Sequence, residues 1–180
     1  MKKQLKNLWI FPFIGGLMGF ILSPVNGRSN NPINHSTITT IDLTRYMGKW
    51  YEIARYEHRF EKGMTHVTAD YSILPNGKIR VVNQGIKDGI HKEIIGKAKQ
   101  PDPEKYPGRL KVSFFLWFYS DYYILELDNN YQYAVVGSSS DKYLWILSRT
   151  PKLPQTTLDV IFQTLKQRGY NLSRLVLVKQ

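Results

Sequence analysis

Four polar side chains keep company that gives them a chemical use. Glu52, Asn83, Tyr122 and Tyr143 each fall on a segment whose same-parity neighbours are aliphatic or aromatic. A carboxylate, an amide and two phenols spread among apolar side chains break no bond, but they can hold the polar end of an amphiphile whose tail lies among the rest. The arrangements that catalysis needs are absent from the sequence: there is no cysteine, no Gly-x-Ser-x-Gly, no phosphate loop and no His-Glu-x-x-His. Ser138-Ser139-Ser140-Asp141 sets three hydroxyls before a carboxylate, and between two strands that reads as a turn. His35, His58, His66 and His91 fall in the lead-in, in loops or on outward parity, so they read as solvated. Neither a metal site nor a haem or other pigment follows from them. The expectation is a binding protein with no cofactor, not an enzyme.

Two further residues have a geometric use. Trp50, in Gly48-Lys49-Trp50-Tyr51-Glu52-Ile53-Ala54-Arg55, and Arg149, after Tyr143-Leu144-Trp145-Ile146-Leu147-Ser148, lie in the first and last long apolar segments of the folded region. If those strands meet, the guanidinium can cover the indole face, an interaction of roughly 0.5 to 2 kcal/mol, and its spare donors can bind carbonyls before Gly48. Gly48, Trp50 and Arg149 are therefore read as a structural plug.

These groups need strands to place them. Thr65 to Ile73 alternates polar and apolar residues, and Pro75-Asn76-Gly77 turns it into Lys78 to Asn83, a hairpin. Further strands are expected over Glu93 to Lys99, Arg109 to Phe115, Tyr122 to Leu127, Tyr131 to Gly137 and Tyr143 to Ser148. After Pro154 the period changes: Leu158, Ile161, Phe162 and Leu165 mark an amphipathic helix, with Thr156 as its cap and Gly169 at its end. That helix should cover the second apolar face of the nearest strands, through Leu125, Leu127, Val135, Leu144 and Ile146.

With Trp50 and Arg149 inward, parity assigns an inner face to Glu52, Ala54, Tyr56, Val67, Ala69, Tyr71, Ile79, Val81, Asn83, Gly96, Ala98, Leu110, Val112, Phe114, Tyr122, Ile124, Ala134, Val136, Tyr143, Trp145 and Leu147. Small residues interleaved with aromatics favour an open cavity over a filled core. Of this set, Ala54, Tyr56, Val67, Ala69, Tyr71, Val81, Asn83, Ala98, Val112, Phe114, Tyr122, Ile124, Val136, Tyr143 and Trp145 are expected to line the ligand. Each buried methylene of a tail contributes about 0.8 kcal/mol, so a fatty acid or single-chain phospholipid fits. Leu116, Trp117 and Phe118 interrupt the strands with an apolar turn, expected at the rim, where it touches a membrane, a ligand tail or a second copy, or folds in as a lid.

The first 27 residues have a basic start (Lys2, Lys3, Lys6), an apolar run from Leu8 to Leu22 and small residues up to Gly27. They read as an export signal cleaved after Gly27, the alternative being a retained anchor. Arg28 to Thr40 reads as a flexible lead-in that buries nothing, and the domain runs from 41 to 180. The formal charge of +11 is spread along strands. An exported chain has little occasion to meet nucleic acid, so an anionic membrane surface is the better partner for that field.

Gly48-x-Trp50, the turn Leu127-Asp128-x-x-Tyr131, Arg149 and a helix after it together resemble the lipocalin family. The resemblance is nearest to its bacterial outer-membrane and apolipoprotein D branch, through Asp42 to Arg55, Phe60 to Gly63, Leu110 to Phe115 and Tyr143 to Pro151. It implies an all-β fold with one C-terminal helix, an eight-stranded up-and-down antiparallel barrel, which binds, stores or transports a lipid for the cell envelope. Homodimerisation is suggested by the resemblance alone. Bacterial relatives are commonly anchored through a cysteine that this sequence lacks, so the expected location is periplasmic or outer-membrane-associated without a cysteine-linked lipid. Two rival functions are a filled barrel that binds protein through the Trp117 rim, and a lipid-modifying enzyme.

Overall fold

The computed structural model describes residues 32–180, so the expected export signal lies outside the described residues. A short helix α1 (Leu43–Tyr46), capped by the Asp42 carboxylate, leads into eight antiparallel strands. These are β1 (Gly48–Tyr56), β2 (Thr65–Ile73), β3 (Ile79–Lys87), β4 (Ile90–Lys99), β5 (Arg109–Phe115), β6 (Phe118–Leu127), β7 (Tyr133–Gly137) and β8 (Leu144–Ser148). Each pairs with the next, and β1 pairs with both β2 and β8, which closes the barrel. Because the connections alternate between ends, β1–β2, β3–β4, β5–β6 and β7–β8 open on one rim. Helix α1 and the chain before it lie at the other.

A final short strand, β9 (Leu175–Leu177), lies beyond the strands expected from the sequence. It pairs with Ala54–Tyr56, so β1 bonds β2 over its first half and β9 over its second. The C-terminus continues this wedge: the Gln180 amide donates to the carbonyls of Glu52 and Val67 at 2.6 and 3.0 Å, and His66 N–H donates to Lys179 C=O at 2.6 Å. The seam between β1 and β2 is thus filled from outside where the two strands part.

Two apolar clusters follow from this layout. The inner one contains Tyr46, Trp50, Tyr71, Ile79, Val81, Ala98, Leu110, Ile124, Ala134, Val136 and Leu147. The outer one lies beneath α2 (Gln155–Gln167), whose buried Ile161 and Leu165 meet Leu125, Val135, Leu144 and Ile146, as the two-faced apolar strands require. Burying those two helix side chains contributes roughly 3 to 6 kcal/mol. The helix starts without a side-chain cap: Pro154, with φ −55°, precedes it, and its carbonyl accepts from the amides of Thr157 and Leu158. Thr156 therefore sits inside the first turn, not at its cap, while Gly169 at φ +87° ends the helix as expected. The Tyr131 and Tyr122 strands also shift in extent, to Tyr133–Gly137 and Phe118–Leu127.

The polar lead-in packs two partly buried residues onto the barrel. Ile38 packs against the inner cluster and its N–H donates to Ile124 C=O at 3.0 Å, while Ile33 packs against the outer cluster. Arg168 fixes the strap between them, donating to the carbonyls of Asn34 and Ser36 at 3.1 and 2.9 Å while pairing with Glu126 at 2.7 Å. Isolated isoleucines in a turn-rich stretch give no period to read, which is why the sequence looked loose there.

Candidate functional site: the barrel lumen

The closed end is sealed from within. Trp50 has no exposed surface, its Nε1–H donates to Tyr46 C=O at 2.8 Å, and the Arg149 guanidinium lies 3.8 Å from its ring centre. Arg149 also donates to the carbonyls of Lys49, Arg45 and Tyr46 at 2.8, 2.7 and 3.2 Å, so it ties α1 and the start of β1 to the end of β8. Gly48, at φ +87°, lets the chain turn into β1 beneath that guanidinium.

Above the plug, three phenols form a chain: Tyr122 Oη lies 2.7 Å from Tyr46 Oη and 3.0 Å from Tyr71 Oη. Burial pushes all three pKa values up, that of Tyr71 to about 12, so they stay neutral donors and acceptors. Two bonds among three hydroxyls leave one O–H over, and one rung higher the Asn83 Oδ1 is buried without a partner. Around them Ala69, Asn83, Gly96, Val112, Phe114 and Tyr122 keep part of their surface although they face inward. Gly96 is small for a reason: a Cβ there would stand 2.6 Å from the Phe114 ring and from Ser113 O.

The mouth end is charged, and here parity failed. A bulge between Glu52 and Ala54 shifts β1 against β8, pairing Glu52 with Leu147, Ala54 with Ile146 and Arg55 with Trp145. Ala54 and Tyr56, expected to line the ligand, consequently belong to the outer cluster beneath α2. Arg55 takes the inner side in their place. Its guanidinium, 2% exposed, pairs with Glu52 at 2.7 Å and donates to Glu61 C=O at 2.6 Å. A three-residue spacing puts side chains on opposite faces of a regular strand, so this pair could not be read without the bulge. A second bulge, in β6, likewise turns Leu127 from the helix side to the inner cluster.

The loop after β1 is drawn over the lumen by Glu61. Its carboxylate accepts from Trp145 Nε1–H at 3.1 Å and lies 2.9 Å from His58 Nε2. His58 packs its ring edge-on to Tyr143 and Trp145, at 5.7 and 5.5 Å, and is partly buried, not solvated as its sequence position implied. His35 likewise meets the Tyr170 hydroxyl at 3.2 Å. The Glu52 carboxylate thus pairs with the guanidinium, and the Glu61 carboxylate acts on both through its charge. Burial, reinforced by Glu61, raises Glu52 to about 8. Burial also works against ionised Glu61, but the hydrogen bonds from His58 and Trp145 outweigh it and hold that group below its usual value.

Of the positions expected to line the ligand, the barrel brings Val67, Ala69, Tyr71, Val81, Asn83, Ala98, Val112, Phe114, Tyr122, Ile124, Val136, Tyr143 and Trp145 together on its inner side. The rim turn stands away from them: Leu116, Trp117 and Phe118 are 52%, 71% and 53% exposed, so it is no inward lid. A shallow groove beside Tyr106 and Arg109 lies on the outer wall near the closed end, away from the lumen. Among the described residues, no cluster of His, Asp and Glu could hold a metal.

Residues 41–180 match the family described as Lipocalin-like domain. The chain belongs to the lipocalin family. A Vibrio cholerae relative named Outer membrane lipoprotein Blc is 42% identical, over 87% of this lipocalin and 92% of its own length. Mouse Apolipoprotein D is 34% identical, over 77% of each chain. Among solved structures, insecticyanin from the tobacco hornworm shares the barrel with a TM-score of 0.67 at 21% identity, covering 81% of this chain and 84% of that one.

Proposed function

We propose that this lipocalin binds, stores or carries one single-chain anionic lipid, a fatty acid or lysophospholipid, in the cell envelope. The observation that supports this reading is the gradient along the lumen. A dry plug gives way to apolar walls that keep accessible surface, and these end at a buried guanidinium beneath a loop. An apolar tail fits against Ala69, Val112 and Phe114, and its acid group fits beside Arg55, where a charge-assisted bond replaces a loop carbonyl. Export to the periplasm or the outer membrane, without a cysteine-linked lipid, completes the proposal. The likeness to a relative named Outer membrane lipoprotein Blc supports the envelope location, and only the sequence's lack of cysteine supports the absence of the linked lipid.

Delipidated protein should take up one equivalent of a long-chain fatty acid about tenfold more tightly than the matching alcohol, a difference of about 1.4 kcal/mol. Arg55→Met, with Arg55→Met/Glu52→Gln as a companion that leaves no unpaired carboxylate, should close that gap while still binding the alcohol. Saturable uptake of neither amphiphile overturns the proposal.

A further inference from the structure

The β5–β6 turn pays no part in the lumen, and its residues run against local preference. Leu116 holds φ +49° at a two-residue turn flanked by the Phe115–Phe118 pair, a conformation that glycine adopts freely and that is strained for a side chain with a Cβ. The strain buries neither side chain of the turn, since Leu116 and Trp117 are both exposed. What the turn does achieve is presentation. Phe118 stacks between Phe115, at 6.4 Å, and Trp117, at 5.9 Å, which stiffens a projecting apolar tip. On the neighbouring turn of the same rim Ile90 is 57% exposed.

Behind this tip the wall is basic. Lys99 and Lys97 reach the ring of Tyr119, with their Nζ atoms 4.6 and 5.9 Å from its centre. Arg59 and Lys62, on the loop over the mouth, are exposed on the same rim. Aromatic side chains in front with ammonium groups behind are the order that an anionic bilayer presents in reverse, acyl boundary beneath phosphate. Glu57, Asp88 and Asp141 share that end, so the electrostatic share is moderate and the apolar tip is needed as well.

We infer that Leu116, Trp117 and Phe118, with Ile90, dock the open rim of the barrel onto an anionic lipid bilayer. The mouth then faces the surface from which a single-chain lipid would leave or enter. The docking itself rests on the rim alone and holds whether or not the lumen takes a lipid.

The test is co-sedimentation of the delipidated full chain with phosphatidylglycerol-containing vesicles and with pure phosphatidylcholine vesicles, for the native chain and for Trp117→Ser/Phe118→Ser. The native chain should bind the anionic vesicles and lose binding as salt rises, and the double variant should bind about tenfold less while retaining fatty-acid uptake. An unchanged bound fraction in the variant overturns the inference, and so does equal binding to the neutral vesicles. Sedimentation velocity without vesicles completes the test: a dimer that the variant dissociates would assign the tip to a second copy instead. Loss of fatty-acid uptake in the native chain, with vesicle binding intact, would count against the lumen reading only.

Discussion

The two ends of the barrel use the same ingredients, an arginine beside a tryptophan, to opposite effect. At the closed end Arg149 lies over Trp50 and spends its donors on backbone carbonyls of α1 and β1. At the mouth Arg55 stands opposite Trp145, but its partners are the Glu52 carboxylate and the backbone carbonyls of Glu61 and Met64. Carbonyls hold an arginine at every pH, whereas carboxylates hold it conditionally. One end is held by carbonyls alone; the other adds a carboxylate whose hold changes with pH.

The sharpest break of this comparison is Arg149→Ala. It removes the ring contact and four hydrogen bonds to carbonyls, a loss of about 3 kcal/mol, which lowers Tm by on the order of 10 °C in a scanning melt. Ligand stoichiometry should stay at one. Lost binding at unchanged Tm would mean that the seal is part of the site.

A smaller effect sharpens the other half. Glu52 is raised to about 8 against an ordinary value of 4.5, so between those values the folded protein keeps a proton that the unfolded chain has released. Its contribution is full below pH 4.5 and is lost as pH rises to about 8. Glu61, held low, acts the other way and only at more acid pH. Glu52→Gln keeps an acceptor for Arg55 and removes the titration. Melts at pH 5 and pH 9 should differ less in the variant than in the native chain, with a gain of about 5 °C at pH 9. An identical fall in both would show that Glu52 is not the group responsible.

The seal was legible in the sequence because Gly48, Trp50 and Arg149 act through regular strands, where parity carries from one residue to the next. The mouth was not, and the cause is local. One bulged residue in β1 moved Ala54 and Tyr56 under the helix and brought Arg55 inside, and nothing in Ile53-Ala54 marks a bulge as a glycine would. His58 and Glu61 became visible only once the loop was seen folded over Trp145, and β9 only once β1 and β2 were seen to part. The outer cluster, by contrast, followed from two-sided apolar strands and a helical period, with Leu127 displaced by a second bulge.

The central claim, a lumen that holds a lipid above a sealed end, is tested most directly by mass spectrometry of the organic extract of the full chain purified from a bacterial envelope. The account predicts about one equivalent of a single-chain acidic lipid per protein molecule. A protein that carries none, and takes up none when incubated with fatty acid, would contradict it.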